Sequence, residues 1–496
     1  MKKKERCSGI LMHISSLPGK YGIGTFGKEA YDFVDFLYES GQKIWQILPL
    51  GHTGFGDSPY QCYSAFAGNP LFIDTDKLIE CNLLNKEDIP KLISFKDTEF
   101  DTQKTSSFVI PLLKKASVNF QNNADNKEKE KYNDFCKKNE FWLDDYALFI
   151  SLKDYFEQKA WYEWDILLKM RNNKELKTYI KNLSDSILFH KTVQYFFFDQ
   201  WMALKQYANK RGIRILGDIP LYVAYDSSDA WSSPEIFHFD KNKTPIAVAG
   251  VPPDYFSGTG QLWGNPLYNW EYLKKSGFSW WIERIKANFV LFDILRIDHF
   301  RGLAGFWAVP YGEKTAERGQ WIDAPGIDLF DSILRVLGDI PIIAEDLGVI
   351  TDDVEFLRNK YNFPGMKILQ FAFDSQEESE FLPHTFTQNC VVYTGTHDND
   401  TTVGWYESAS EKDKAYMHEY FYFKPEDVHW GLIRLAWQSV AYMSIAPMQD
   451  LLGLGAEHRM NLPGKPTGYW KWRVKKEAFN KEIIEKLRHL NRIYYR

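Results

Sequence analysis

Short apolar, β-branched runs that end in turn or polar residues recur along the chain. They predict strands over 9–15, 43–48, 213–219, 289–297, 341–344, 366–370, 390–394 and 444–447. Between them, apolar residues at three- and four-residue spacing predict helices over 28–40, 267–287, 328–337, 351–360, 409–422 and 425–442. Eight strands alternating with helices is the pattern of a (β/α)8 TIM barrel. The strand runs are too apolar for a sheet with one wet face, as expected where helices cover the barrel.

The spacing of the strands is uneven. About 160 residues separate the second strand from the third, far more than one crossover helix needs. The segment 52–212 is therefore expected to be a mostly helical insertion. Its charged run, Lys127-Glu128-Lys129-Glu130-Lys131, is a solvated helix face. A second insertion, 220–266, is rich in Gly, Pro and aromatics and is expected to be loop-rich and to line a cleft. The whole chain, 1–496, is read as one catalytic barrel. The roughly 50 residues after the eighth strand are too few for a C-terminal β-sandwich.

Composition narrows the function. Hydrophobic residues at 44% and charged residues at 25% are those of a globular chain. A net charge of −6 leaves no basic excess to neutralise phosphates, so no nucleic-acid partner is expected. No apolar run reaches the length of a membrane span, and the stretch behind the basic N-terminus is too short for a signal h-region. Five scattered cysteines without a CxxC exclude a zinc ribbon and point to a reducing, cytoplasmic setting. The aromatic content, 16%, is high; most of it is core filler, but Trp and Tyr also suit surfaces that grip amphipathic ligands.

Gly22-Ile23-Gly24-Thr25-Phe26-Gly27-Lys28 matches two phosphate-loop patterns and fits neither. Glu29 stands where a P-loop needs Ser or Thr, and Leu48-Pro49-Leu50 ends the second strand where a dinucleotide fold needs an acid. The strongest chemical signal is Leu295-Arg296-Ile297-Asp298-His299. Strand alternation turns Arg296 and Asp298 to the barrel interior, where the guanidinium is expected to keep Asp298 ionised and lower its pKa. Glu345 and Asp398 end later strands, so all three acids reach the same mouth. Two of them suit retaining glycoside chemistry, one attacking and the other, with a raised pKa, donating and recovering a proton. The same acids also fit a structural ion-pair cluster.

These residues resemble the amylomaltase (4-α-glucanotransferase) family, related to the α-amylase superfamily. The similarity runs from Ser16-Leu17-Pro18-Gly19 to Arg459-Met460-Asn461-Leu462-Pro463-Gly464. Its most specific stretches are Gly54-Phe55-Gly56-Asp57-Ser58-Pro59-Tyr60-Gln61, Gly217-Asp218-Ile219-Pro220-Leu221-Tyr222-Val223 and Gly260-Gln261-Leu262-Trp263-Gly264-Asn265-Pro266. His52 and Cys62 stand where the family pattern has Pro and Ser.

The resemblance implies Asp298 as nucleophile, Glu345 as general acid/base and Asp398 as the acid that grips the reacting glucose. It implies Tyr60, Asp218, Trp263, Arg296, His299 and His397 as substrate-binding residues. Maltooligosaccharides and α-1,4-glucans would be donors, and glucose or glucan acceptors. The Asn-His pair of α-amylases is absent beside Asp218, so neither metal nor cofactor is expected. Residue chemistry alone does not separate a transferase from an α-1,4-glucan hydrolase, since both form the covalent intermediate. The loop from Ala249 to Phe256 could exclude water and favour a sugar acceptor. Two other readings carry less. A metal-dependent barrel hydrolase could use Asp298, His299, His397 and Asp398, but His13 lacks the second His of an H-x-H pair. A non-catalytic glucan-binding protein would have no need for three acids at one mouth.

Overall fold

The computed structural model describes residues 5–90, 94–253, 257–465 and 467–496. The described residues form strands β1 (Cys7–Leu11), β2 (Ile44–Gln46), β3 (Arg214–Ile219), β4 (Ala247–Val251), β5 (Gln261–Pro266) and β6 (Ile294–Ile297). They continue with β7 (Gly305–Pro310), β8 (Gln320–Asp323), β9 (Ile342–Ala344), β10 (Gly365–Ile368), β11 (Cys390–Tyr393) and β12 (Met443–Pro447). Eight of these make one sheet, in the order β10-β11-β12-β1-β2-β3-β6-β9, with every pairing parallel. The Ala344 amide donates to the Pro364 carbonyl at 3.0 Å, bringing the last strand to the first and closing a TIM barrel. No strand follows β12 among the described residues.

Burial explains the apolar strands. β1, β2, β9, β11 and β12 are buried at every position, because side chains fill the barrel and helices cover it. On β3, Gly217 is required by a close approach: a Cβ there would lie 2.1 Å from the Phe292 ring. Between β2 and β3 run the helices Thr102–Asn123, Asn126–Lys138, Glu140–Tyr155, Asn173–Asn182 and Ser184–Lys210. The charged run sits on Asn126–Lys138, where only Tyr132 is buried. Ser184–Lys210 doubles as the helix that leads into β3, burying Phe197, Trp201 and Leu204. No helix of the described residues is long and apolar enough to cross a membrane.

The structure corrects several boundaries. The strand expected over 289–297 begins at Ile294, because the helix Ser279–Leu291 runs to its start within one continuous apolar stretch. The helix expected over 267–287 is two, Trp270–Lys275 and Ser279–Leu291, broken where Gly277 and Phe278 take φ of +65° and +57°. The first strand runs from Cys7 rather than Gly9, since Cys7 pairs with Met443, and it stops at Leu11. The C-terminal helix Lys481–Tyr494, which buries Ile483, Ile484, Leu487 and Leu490, was not expected.

The largest correction concerns the cleft wall. The stretch 220–266 contains β4 and β5, and a hairpin that the strand pattern does not announce, β7–β8, follows β6. Together they make a second, antiparallel sheet in the order β5-β4-β7-β8. Two loops that leave different barrel strands are thus stitched into one layer. Residues 254–256 of the loop expected to exclude water, like the basic start 1–4, lie outside the described residues.

Candidate active site

Asp298 directly follows β6 and Glu345 directly follows β9. Ile297 pairs with Ala344, so the two acids are the next residues in register on neighbouring strands. The ladder continues through them: the Asp298 amide donates to Ile219 O at 3.0 Å and the Glu345 amide to Ile297 O at 3.1 Å. Asp218 pairs with Arg296 in the same way across β3 and β6. Register thus places Asp218, Arg296, Asp298 and Glu345 together at the C-terminal mouth. Asp398 arrives from the loop after β11.

Arg296 is the hub. It is buried, with Nη1 2.6 Å from Asp218 Oδ2 and Nη2 2.9 Å from Asp298 Oδ1. The Tyr60 hydroxyl donates to the same Asp218 oxygen at 2.8 Å, and its ring stacks on His397 with centroids 5.2 Å apart. The Asp218 side chain is 0% exposed, whereas those of Asp298 and Asp398 are 29% and 42% exposed. Asp218 therefore faces protein, and the other two face the cleft. His397 Nε2 lies 3.3 Å from Asp398 Oδ2, while the Asn461 amide donates to Asp398 Oδ1 at 2.7 Å. Both Glu345 oxygens accept backbone N–H groups, from His299 at 2.6 Å and Leu347 at 2.9 Å. His299 reaches this position with a left-handed φ of +51°, and its ring meets the edge of Trp263 at 4.7 Å.

These surroundings set the charges. Burial pushes the Glu345 carboxyl up to about 7, against Arg296 and its two backbone donors and with help from the Asp298 charge. The expected lowering of Asp298 is corrected. Burial lifts it to about 6, because Arg296 divides its charge between Asp298 and Asp218 and the neighbouring acids oppose ionisation. The order survives: Asp298 ionises before Glu345. At Asp398, burial favours the neutral acid, but the His397 charge and hydrogen bond and the Asn461 amide outweigh it and hold the carboxyl below its usual range. His397 is correspondingly raised: burial opposes its charge and Asp398 overcomes that. Burial drops His299 to about 3, so its imidazole is neutral.

All nine expected residues gather around this mouth. Three further contributors were given no site role: Asn461 and Arg459, both within the Arg459–Gly464 stretch that carries the resemblance, the latter donating to the Asp398 carbonyl at 2.9 Å, and Trp470, 5.8 Å from both Tyr60 and His397. They lie on irregular chain after β12, where no periodicity marks an inward side chain. Among the described residues, no group of three His, Cys, Asp or Glu side chains could hold a metal ion.

A family model described as 4-alpha-glucanotransferase matches residues 12–478. The chain belongs to the 4-alpha-glucanotransferase family. The 4-alpha-glucanotransferase of Clostridium butyricum is 51% identical over 492 residues, covering 98% of this chain and all of that one. The 4-alpha-glucanotransferase of Thermus thermophilus is 47% identical and covers 95% of each chain. Among solved structures, an amylomaltase from Streptococcus agalactiae in complex with acarbose superposes with a TM-score of 0.96 at 44% identity, covering 99% of this chain and 100% of that one. An amylomaltase from Corynebacterium glutamicum, at 17% identity, shares the fold with a TM-score of 0.77, covering 99% of this chain and 75% of that one. This member of the 4-alpha-glucanotransferase family is an enzyme, and its acids stand where the barrel offers a catalytic mouth.

Proposed function

We propose that the chain moves segments of α-1,4-glucan from one maltooligosaccharide to the 4-hydroxyl of another, or of glucose, with retention of configuration. The observation that carries the mechanism is the register of Asp298 against Glu345 on β6 and β9. Adjacent strands lie ~4.8 Å apart, close to the ~5 to 5.5 Å separation of carboxyls in retaining enzymes.

The Asp298 carboxylate attacks the anomeric carbon. As the glycosidic bond breaks, Glu345 gives its proton to the departing 4-oxygen, and the glucan is left as an ester on Asp298. An acceptor 4-hydroxyl then attacks the same carbon. Glu345 takes its proton back and Asp298 leaves as carboxylate, so configuration is inverted twice and retained. Arg296 holds Asp298 in line, and buried Asp218 acts through Arg296 and Tyr60 rather than by touching sugar. The charged His397–Asp398 pair offers bonds to the hydroxyls of the reacting glucose. Trp263 and neutral His299 line the acceptor side. Five cysteines, all free, support a cytoplasmic setting.

Maltotriose should yield glucose and a ladder of longer maltooligosaccharides, with the number of reducing ends nearly constant. A steady rise in reducing ends without longer products would mean hydrolysis, the main competing reading.

The active pair carries one proton, so kcat/KM should be bell-shaped in pH. Activity falls below about 6, as Asp298 gains a proton and loses its nucleophilicity. It falls above about 7, as Glu345 loses the proton the leaving group needs. The two limbs belong to the pair as a unit. A rate that stays flat through both limbs would contradict this assignment.

A further inference from the structure

Below the catalytic acids, the barrel interior holds further polar side chains. Tyr393, on β11, is 0% exposed, and its hydroxyl is turned toward Arg296, Asp218 and the Gln46 amide. Gln46, on β2, pairs with Leu216, two residues before Asp218 on the same face of β3. Three buried atoms in this layer have no hydrogen-bond partner among the described residues: Asp218 Oδ1, Gln46 Oε1 and the Tyr393 hydroxyl oxygen. The hydroxyl lies against the Gln46 amide, but without the geometry of a hydrogen bond. His397 Nδ1 is also without a partner, and its ring borders a separate pocket beside His13.

Donors and acceptors balance in this layer only if the hydroxyl serves one of the acceptors. Asp218 Oδ2 already accepts from Arg296 and Tyr60, while Arg296 also reaches Asp298 and Met366 Sδ. Ionised Asp218 Oδ1 and Gln46 Oε1 are acceptors only. Burial pushes the Tyr393 hydroxyl up, so it keeps its proton and can donate it. A buried carboxylate oxygen left without a donor costs more than an amide oxygen in the same state. The proton therefore goes to Asp218, directly or across one buried water that also serves Gln46.

We infer that Tyr393 is a positioning residue for the nucleophile. Its hydroxyl supports ionised Asp218, Asp218 anchors one side of the Arg296 guanidinium, and the other side holds Asp298. The inference rests on Asp298 having the role given to it above. Arg296 from β6, Asp218 from β3 and Glu345 from the end of β9 all face Asp298. So do Asp398 and His397 from the loop after β11, and Tyr60 from the loop after β2. Withdrawing the Tyr393 hydroxyl leaves every one of these groups in place. It removes one dipole that favours the anions of Asp218 and Asp298, so Asp298 should take up its proton at higher pH.

Tyr393→Phe removes only that oxygen and keeps the packed ring. Its kcat on maltotriose should fall ~3- to 10-fold with KM within ~2-fold of the parent, and the acid limb of kcat/KM should rise by ~0.5 unit, the scale of one lost hydrogen bond. Gln46→Met removes the competing acceptor, so its acid limb should stay in place or move down. In an Asp218→Asn background the effect of Tyr393→Phe should shrink to ~1.5-fold or less, because the carboxylate it serves is gone. A merely structural hydroxyl would lower the melting temperature and leave the acid limb where it was. An unmoved limb in folded Tyr393→Phe, a limb that rises in Gln46→Met, or an equal fall in kcat with and without the Asp218 carboxylate overturns the inference. The limb can be read from hydrolysis as well as from transfer. A parent enzyme that only hydrolyses maltotriose therefore defeats the transferase reading and not this one.

Discussion

Asp298→Asn should leave a folded protein whose maltotriose turnover is down by ~10⁴-fold or more, the scale seen when a covalent nucleophile is removed. Folding should be spared for a stated reason. Asp298 titrates at about 6 in the folded chain, above the ~3.9 of an unfolded aspartate. For an acid raised in this way, native stability is fullest below the unfolded pKa and declines as pH rises through the folded one. At neutral pH its charge therefore weighs against the fold, and Asn removes that charge while Arg296 keeps Asp218 as partner. A glycosyl fluoride that forms a slowly hydrolysed intermediate should label Asp298 in the parent enzyme and leave the variant unlabelled. Mass analysis of the digested protein checks this. Label on Glu345 or Asp398 would reassign the roles.

Glu345→Gln should lower maltooligosaccharide turnover by at least ~10²-fold, the usual scale of acid/base assistance. The more telling outcome concerns which step survives. The glycosidic leaving group is the 4-hydroxyl of another glucose and needs a proton; fluoride does not. The first step on a glycosyl fluoride should therefore proceed and the ester should accumulate, because the second step lacks its base. Azide attacks without base help, so adding it should release a glycosyl azide of the substrate's anomeric configuration. The alkaline limb of the pH profile should vanish with the carboxyl that causes it. If neither fluoride nor azide restores turnover in a folded Glu345→Gln protein, the acid/base lies elsewhere.

The barrel and its acids were legible in the sequence for one physical reason. A parallel strand buried on both faces reads as a solid apolar run, and the first polar residue after it must lie at the mouth. Asp298 and Glu345 both follow that rule. What escaped was whatever depends on partners distant in sequence. The ionisation of Asp298 could not be read from Arg296 two residues away, because Asp218 on β3 claims part of the same guanidinium. Asn461 and Trp470 come from irregular chain, where no period shows which way a side chain turns. Strand β8 is exposed at every position and carries no signature of a core strand, while β7, though mostly buried, follows so soon after β6 that it does not read as a separate element.

The stitched sheet constrains how such a chain can change in length. β4 pairs with β5 on one side and with β7 on the other, although β7 begins only after another barrel strand has been completed. A residue inserted inside β4 or β7 slips the register of one hairpin against the other, and one step of slippage turns every side chain beyond it to the opposite face. Trp263, on β5, would swing away from His299. Changes in length are tolerated in the turns between these strands, such as 311–319, and on the outer strand β8, rather than inside β4 or β7. The two loops form one structural unit, although Asp298 stands between them in the sequence.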